Sequence, residues 1–317
     1  MLADLRYRIR RTRFTPASSA EPWAAGTDPA YLRSLLDHWA GGFDRRKAED
    51  ELNRLPHHLA DIDGQRIHFV HVRAAGGRPA LPLILTHGWP SSFVEMLPLV
   101  PLLTDPARFG GDPADAFDVV IPSPPGFLFS ELPPRRPMTG RSEEAEGTDP
   151  AVAPSGAGGL VTRQTIAETW HTLMTEELGS VRTPSRPRCR TPPAGLAAWI
   201  VDELRAWSDC GGDLESRFDR DDILTVLTLY WATGTIGSPF RQYYDWPLSP
   251  PRPVVTVPAG VTLSAGPVLR DMPRSLAERG LTDLRQWRGP TVGGHFMPVE
   301  EPTLLAGDLR TLFRSLR

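Results

Sequence analysis

The chain has 317 residues, 40% of them hydrophobic and 23% charged, with a formal net charge of −3. That is length enough for one α/β domain carrying an inserted subdomain, or for two domains, around a sizeable core. The charge gives no footprint of a nucleic-acid partner, and no apolar run reaches the ~20 residues of a membrane span. Cys189 and Cys210 fit neither a metal motif nor a disulfide framework. With no signal-peptide pattern at the N-terminus, the expectation is a reducing, cytoplasmic setting.

Residues 2–13 predict a short basic amphipathic helix. Tyr31 to Trp39 predict another, with Asp28 as N-cap, Pro29 in the first turn and Gly41-Gly42 at the end. A helix from Arg46 to Leu55 follows, and Pro56-His57-His58 reads as a turn. Arg66 to Val72 alternates apolar and polar residues, which predicts a strand. The stretch around which the chain is organised comes next. Leu81 to Leu85 is a short apolar run that breaks into His87-Gly88-Trp89-Pro90. Such a run, bounded by turn residues, predicts a buried strand of a parallel sheet. Phe93, Met96, Leu97, Val100 and Leu103 then recur at helical spacing, with Ser91 or Ser92 as N-cap. In open α/β sheets the chemistry gathers at the carboxyl ends of strands placed like this one.

Asp118 to Ser123 predict a further buried strand, ending in Pro124-Pro125-Gly126-Phe127-Leu128. Residues 131–160 are rich in Pro, Gly, Ala and Glu without periodicity, which predicts a disordered insertion. Thr162 to Leu178 predict a helix with Ile166, Trp170, Leu173 and Met174 on one face. A basic, proline-rich junction at 180–193 contains no apolar strand. Val254 to Val257 and Val261 to Ser264 look like a returning core strand, and a closing helix runs to about Leu316. No P-loop or dinucleotide fingerprint is present, and His57, His58, His68 and His71 lack metal-ligand partners by spacing. No cofactor and no metal are expected.

Several of these segments carry a resemblance. They are the His-Gly-Trp-Pro-Ser-Ser-Phe turn at 87–93, the pattern WxxGFDxRxxExxLNxxP at 39–56, IDGxRIHFxHVR at 62–73, the segments 194–200, 203–210, 217–238 and 240–245, and Gly-Gly-His-Phe at 293–296. Together they resemble the microsomal-type branch of the epoxide hydrolases, in the α/β-hydrolase superfamily, over roughly three-quarters of the chain. The resemblance implies an α/β-hydrolase fold with an N-terminal meander (1–75), a core begun at 76–193, a partial helical cap (194–250) and the rest of the core at 251–317. It implies hydrolysis of a small epoxide to a vicinal diol, with no cofactor and no nucleic-acid partner. The oligomeric state stays open.

In that family an Asp carboxylate opens the epoxide, Tyr hydroxyls protonate the departing oxygen, and a His-activated water hydrolyses the ester. The resemblance assigns the general base to His295 and a proton donor to Tyr243, with Tyr244 as the alternative. It assigns the oxyanion turn to His87, Gly88, Trp89 and Pro90, chiefly through the Trp89 backbone N–H. The relay-acid position falls on Pro267, which has no carboxylate; Asp271 is the nearest acid downstream. The family nucleophile lies in a Gly-Gly-Asp-Trp-Gly turn. The sequence contains no such turn and no Gly-x-Ser-x-Gly elbow, so no nucleophile is found and the core sheet is expected to lack central strands. Gly211-Gly212-Asp213 mimics the turn in letters, but lies inside the cap, where a loop or N-cap is expected. Two further readings remain: a catalytically inactive remnant of the family, and a binder of apolar ligands beneath Trp199, Trp207 and Trp231.

Overall fold

The structure, a computed structural model, describes residues 1–16, 21–77, 79–132, 163–177, 192–245, 253–266, 269–290 and 292–317. The expected insertion and the junction at 180–193 lie almost wholly outside these residues, as do Cys189 and Pro267.

The meander opens with α1 (Leu2–Arg10), α2 (Pro29–Gly41) and α3 (Arg45–Asn53). Asp28 caps α2 by accepting the Ala30 and Tyr31 N–H groups, and Asp44 caps α3 through Lys47. Leu32, Leu35, Leu36 and Trp39 form the buried stripe of α2. His57 and His58 depart from expectation. They begin a strand, β1 (His57–Ile62), which pairs antiparallel with β2 (Gln65–Val72). The hairpin turns on Asp63 and Gly64, with φ of 54° and 74°. That left-handed pair matches the twist of a two-residue hairpin. The pairing comes from the turn, not from any alternation in HHLADI. The histidines fill a polar seam: His57 Nδ1 meets His68 Nε2 at 2.9 Å, and His68 Nδ1 meets Ser123 Oγ at 2.9 Å.

β3 (Leu81–Ile84) leads to a 3₁₀ turn at Phe93–Met96 and then α4 (Leu99–Thr104). Ser92 caps the 3₁₀ turn. The helix expected from Phe93 therefore comes as two short pieces, parted at Pro98, which has no N–H to carry the ladder on. β4 (Phe117–Pro122) completes a sheet of order β1-β2-β4-β3, antiparallel between β2 and β4 and parallel between β4 and β3. Side chains alternate between its faces. Val70, Phe117, Val119 and Ile121 join the main core, whereas Ile67, Phe69 and Val120 join a second cluster with Trp170 and Leu173. The latter two belong to α5 (Arg163–Thr172) and its π-helical continuation to Glu177.

Three helices form the cap layer: α6 (Pro193–Trp207), α7 (Arg220–Thr233) and α8 (Gly237–Asp245). The Gly211-Gly212-Asp213 segment is a loop whose Asp213 caps a 3₁₀ turn. The rest is β5 (Ala259–Thr262), α9 (Arg274–Glu278), β6 (Leu284–Arg288), α10 (Met297–Glu300) and α11 (Pro302–Arg314). β5 and β6 make a separate parallel pair. The strand expected at 254–257 is reduced to one bridge between Val255 and Leu281, with Pro253 and Pro258 on either side unable to donate to a ladder. Among the described residues no strand lies between β4 and β5 in the chain. α11 ties the two sheets together. Its Phe313 packs edge-on against Phe117 at 5.6 Å, and its Asp308 accepts from Thr262 Oγ1 and Arg288 Nε, both at 2.8 Å. No helix among the described residues is long and apolar enough to cross a membrane.

Candidate functional site

The turn at 87–90 is the floor of the site. Its Trp89-Pro90 bond is cis. His87 is buried, and its Nδ1 lies 3.0 Å from the Gly88 carbonyl, which fits an Nδ1–H donor. Burial outweighs that hydrogen bond and pushes its pKa down from 6.5 to about 4. His87 Nε2 and the Trp89 indole N–H are buried without a hydrogen-bond partner among the described residues. In the loop after β4, Leu128 adopts φ 45° with its side chain buried. Burial of the leucine offsets the strain of the left-handed backbone. It lines a cavity of about 750 Å³ between α3, β1, β2 and α7.

His295 reaches the same turn from the other end of the chain. A Cβ placed on Gly88 would stand 3.9 Å from His295 Nε2. The loop carrying it is held by Glu300, a buried carboxylate that accepts the N–H groups of Asp209 (2.6 Å), Gly294 (2.9 Å) and Phe296 (3.0 Å). The His295 N–H donates to the Trp207 carbonyl at 2.7 Å. Glycine is required beside it, since a Cβ on Gly294 would lie 2.4 Å from that carbonyl oxygen. The imidazole is exposed on one edge and packed edge-on by Trp207 at 5.2 Å and Phe296 at 5.0 Å. That desolvation lowers its pKa below 6.5.

The cap supplies the third side. Tyr230 of α7 donates to the Ser91 carbonyl at 2.6 Å and packs edge-on against Trp89 at 5.4 Å. Phe240 of α8 meets Trp89 at 5.3 Å and Trp199 of α6 at 5.1 Å. Tyr243, one turn further along α8, packs against Phe240 at 6.3 Å. Its hydroxyl pKa is raised above 10, first by burial and then by the charge of Glu203, with the neighbouring Trp89 side chain pulling the other way. The Trp89 indole N–H is close to that hydroxyl but outside normal hydrogen-bond geometry. Tyr243 is 51% exposed and not enclosed beneath the cap. It sits near the end of the described cap, and the side chain of Tyr244 lies outside the described residues. Of the cap tryptophans, Trp199 and Trp207 border the site, while Trp231 lies under Arg8 of α1.

The site thus unites His87, Gly88, Trp89, Pro90, His295 and Tyr243. Asp271 is exposed in the turn at 269–271, and among the described residues no carboxylate hydrogen-bonds the His295 ring. Nor does any group of His, Cys, Asp and Glu among them have the arrangement of a metal site. Sequence reasoning missed Glu300 and Glu95. Glu95 is buried beside the floor, and desolvation pushes its pKa up from 4.5 to about 8, with Ser91 opposing and Glu300 adding to the rise. An acidic residue on a predicted helix gives no sign of burial until its neighbours are known. An imidazole, a phenol and a dipolar turn on one surface can move a proton to a leaving oxygen and take one from water.

A family model described as Epoxide hydrolase N terminus matches residues 1–96. A putative epoxide hydrolase of Stigmatella aurantiaca (strain DW4/3-1) is 33% identical over 366 aligned residues, which take in 100% of this chain and 83% of that protein. Epoxide hydrolase 1 of Sus scrofa is 30% identical over 386, covering 97% of this chain and 85% of its own. Both alignments exceed the length of this chain, so these relatives carry residues inside the matched span that have no counterpart here. Among solved structures, juvenile hormone epoxide hydrolase from the silkworm Bombyx mori superposes with a TM-score of 0.73 at 24% identity, over 100% of this chain and 91% of that one. Aspergillus niger epoxide hydrolase gives 0.70 at 23%, over 100% and 94%. The fold is that of the α/β-hydrolase epoxide hydrolases, present here in part.

Proposed function

This chain belongs to the epoxide hydrolase family, and we propose that it hydrolyses a small epoxide to a vicinal diol through His295 and Tyr243, set around the Trp89 turn. The observation that carries this reading is their convergence. His295 Nε2 approaches Gly88, and Tyr243 approaches Trp89, from parts of the chain about 50 residues apart. Tyr243 gives its proton to the epoxide oxygen as the ring C–O bond breaks. His295 removes a proton from the water that completes the diol. The backbone N–H of Trp89 supports negative charge on oxygen. Asp271 is proposed as the relay acid, brought to the second ring nitrogen by a bend of its exposed turn. The substrate is taken to be compact and apolar, because Phe240, Trp199 and Trp207 flank the approach. A cytoplasmic setting fits the free, buried thiol of Cys210.

Diol formation from styrene oxide by the purified chain tests the reading, with Tyr243→Phe beside it. The variant is expected to lose roughly 10²–10⁴-fold in kcat/KM, the usual weight of a general acid. Equal rates in the two proteins would remove Tyr243 from the reaction.

A non-catalytic member of the family is the second reading. It is favoured by the missing Gly-Gly-Asp-Trp-Gly turn and by the absence of a carboxylate on the His295 ring among the described residues. Ligand binding by folded protein without any turnover would establish it.

A further inference from the structure

If an epoxide is hydrolysed here, a nucleophile must stand in for the missing turn. We propose that Glu203 of α6 is the carboxylate that attacks the epoxide carbon, at the site bounded by Trp89, Tyr243 and His295. This inference rests on the function proposed above.

Residues 199, 203 and 207 follow one another at a spacing of four, so they line one side of α6. The two outer members are fixed by contact: Trp199 packs on Phe240 at 5.1 Å, and Trp207 packs on His295 at 5.2 Å. Glu203 lies between them, on the face turned to the site. The opposite side of α6 faces the meander. There Thr27 Oγ1 donates to the Ala198 carbonyl at 2.6 Å, a Cβ on Gly26 would stand 3.9 Å from the Asp202 carboxylate, and Arg205 lies over Trp23 at 4.5 Å. The charge of Glu203 is felt at the Tyr243 hydroxyl, which places the two groups in one electrostatic environment. Burial, and then Asp202, raise the pKa of Glu203 itself. A partly desolvated carboxylate is a stronger nucleophile than a hydrated one.

The other acids nearby are engaged. Glu300 is saturated by three backbone N–H groups. Asp209 accepts from Gly293 and pairs with Arg217. Glu95 is buried behind the floor and protonated at neutral pH. Among the described residues Glu203 makes no hydrogen bond and no ion pair.

The chemistry balances with water as the only co-reactant. One Glu203 oxygen forms a bond to an epoxide carbon while the ring C–O bond breaks. The released electron pair stays on the departing oxygen, which takes the Tyr243 proton. His295 then takes a proton from water, and the hydroxide adds to the ester carbonyl. The intermediate collapses with loss of the diol oxygen, which receives the His295 proton. The new carboxylic acid returns its proton to the Tyr243 phenolate. One water oxygen remains in the Glu203 carboxylate.

The test is peptide mass mapping of His295→Ala incubated with styrene oxide, since ester hydrolysis needs His295 and the adduct accumulates without it. An adduct on Glu203, absent from the double variant with Glu203→Gln and retained in the double variant with Asp202→Asn, is the result expected. An adduct on another carboxylate, or none, overturns the proposal. Diol formation by the native chain is measured in parallel. Diol without Glu203 labelling, and with full activity in Glu203→Gln, sinks the nucleophile alone. An adduct without diol keeps Glu203 as the nucleophile and sinks complete hydrolysis. Neither adduct nor diol sinks both.

Discussion

In the proposed role of base the His295 imidazole must be neutral, and its packing against Trp207 and Phe296 holds its pKa below 6.5. Diol formation is therefore predicted to rise with pH along an acid limb centred below 6.5 and then to level. A limb centred above 6.5 would contradict the desolvated setting. Two buried groups near it give stability opposite pH slopes. Glu95 is raised from 4.5 to about 8, so the folded chain keeps a proton that the unfolded chain has lost. Its contribution is full below pH 4.5 and is lost as pH rises through about 8. His87 is lowered from 6.5 to about 4, so its contribution is present above 6.5 and lost as pH falls through about 4. Replacing Glu95 with Gln removes the first slope. Its advantage over the native chain is predicted to widen by up to about 1.4 kcal/mol per pH unit between pH 5 and 8. Denaturant melts at several pH values check this, and a constant difference would refute it. The motif residues were legible in the sequence because chain geometry demands them, as the contact between Gly294 and the Trp207 carbonyl illustrates. Glu203 was not, since it reads as one more charge on an amphipathic helix until Trp199 and Trp207 fix its face.

Among the elements, the attachment of the cap decides whether Tyr243 stays over the turn. α7 is fastened to the floor by the hydrogen bond from Tyr230 to the Ser91 carbonyl, fully buried and 2.6 Å long. Tyr230→Phe leaves that carbonyl unsatisfied, and a loss of about 1–3 kcal/mol is predicted. The midpoint of urea unfolding measures it, and an unchanged midpoint would mean that packing against Trp89 alone holds the cap. The helices of the meander and the strands β2, β3 and β4 follow their periodicity and capping residues closely. β1 and β6 do not show in the sequence. β1 is created by the hairpin turn that precedes β2, and β6 by its pairing with β5, and neither carries a strong period of its own.

For the whole molecule, the chain keeps both flanks of an α/β-hydrolase core and joins them by α11. The 4-stranded sheet presents the Trp89 turn, and the smaller sheet precedes the His295 loop. Relatives align over more residues than this chain contains, and the sequence has no Gly-Gly-Asp-Trp-Gly turn. The surviving pieces nevertheless bring His295, Tyr243 and the Trp89 turn together, the base, acid and oxyanion turn of the proposed reaction, and that convergence is the central claim. The most direct measurement is diol production from styrene oxide by the purified, folded chain set against His295→Ala. Turnover that falls by roughly 10²-fold or more in the variant is the predicted result. No diol above the variant's background, from protein that melts cooperatively, would contradict the account and leave a family member without the family's activity.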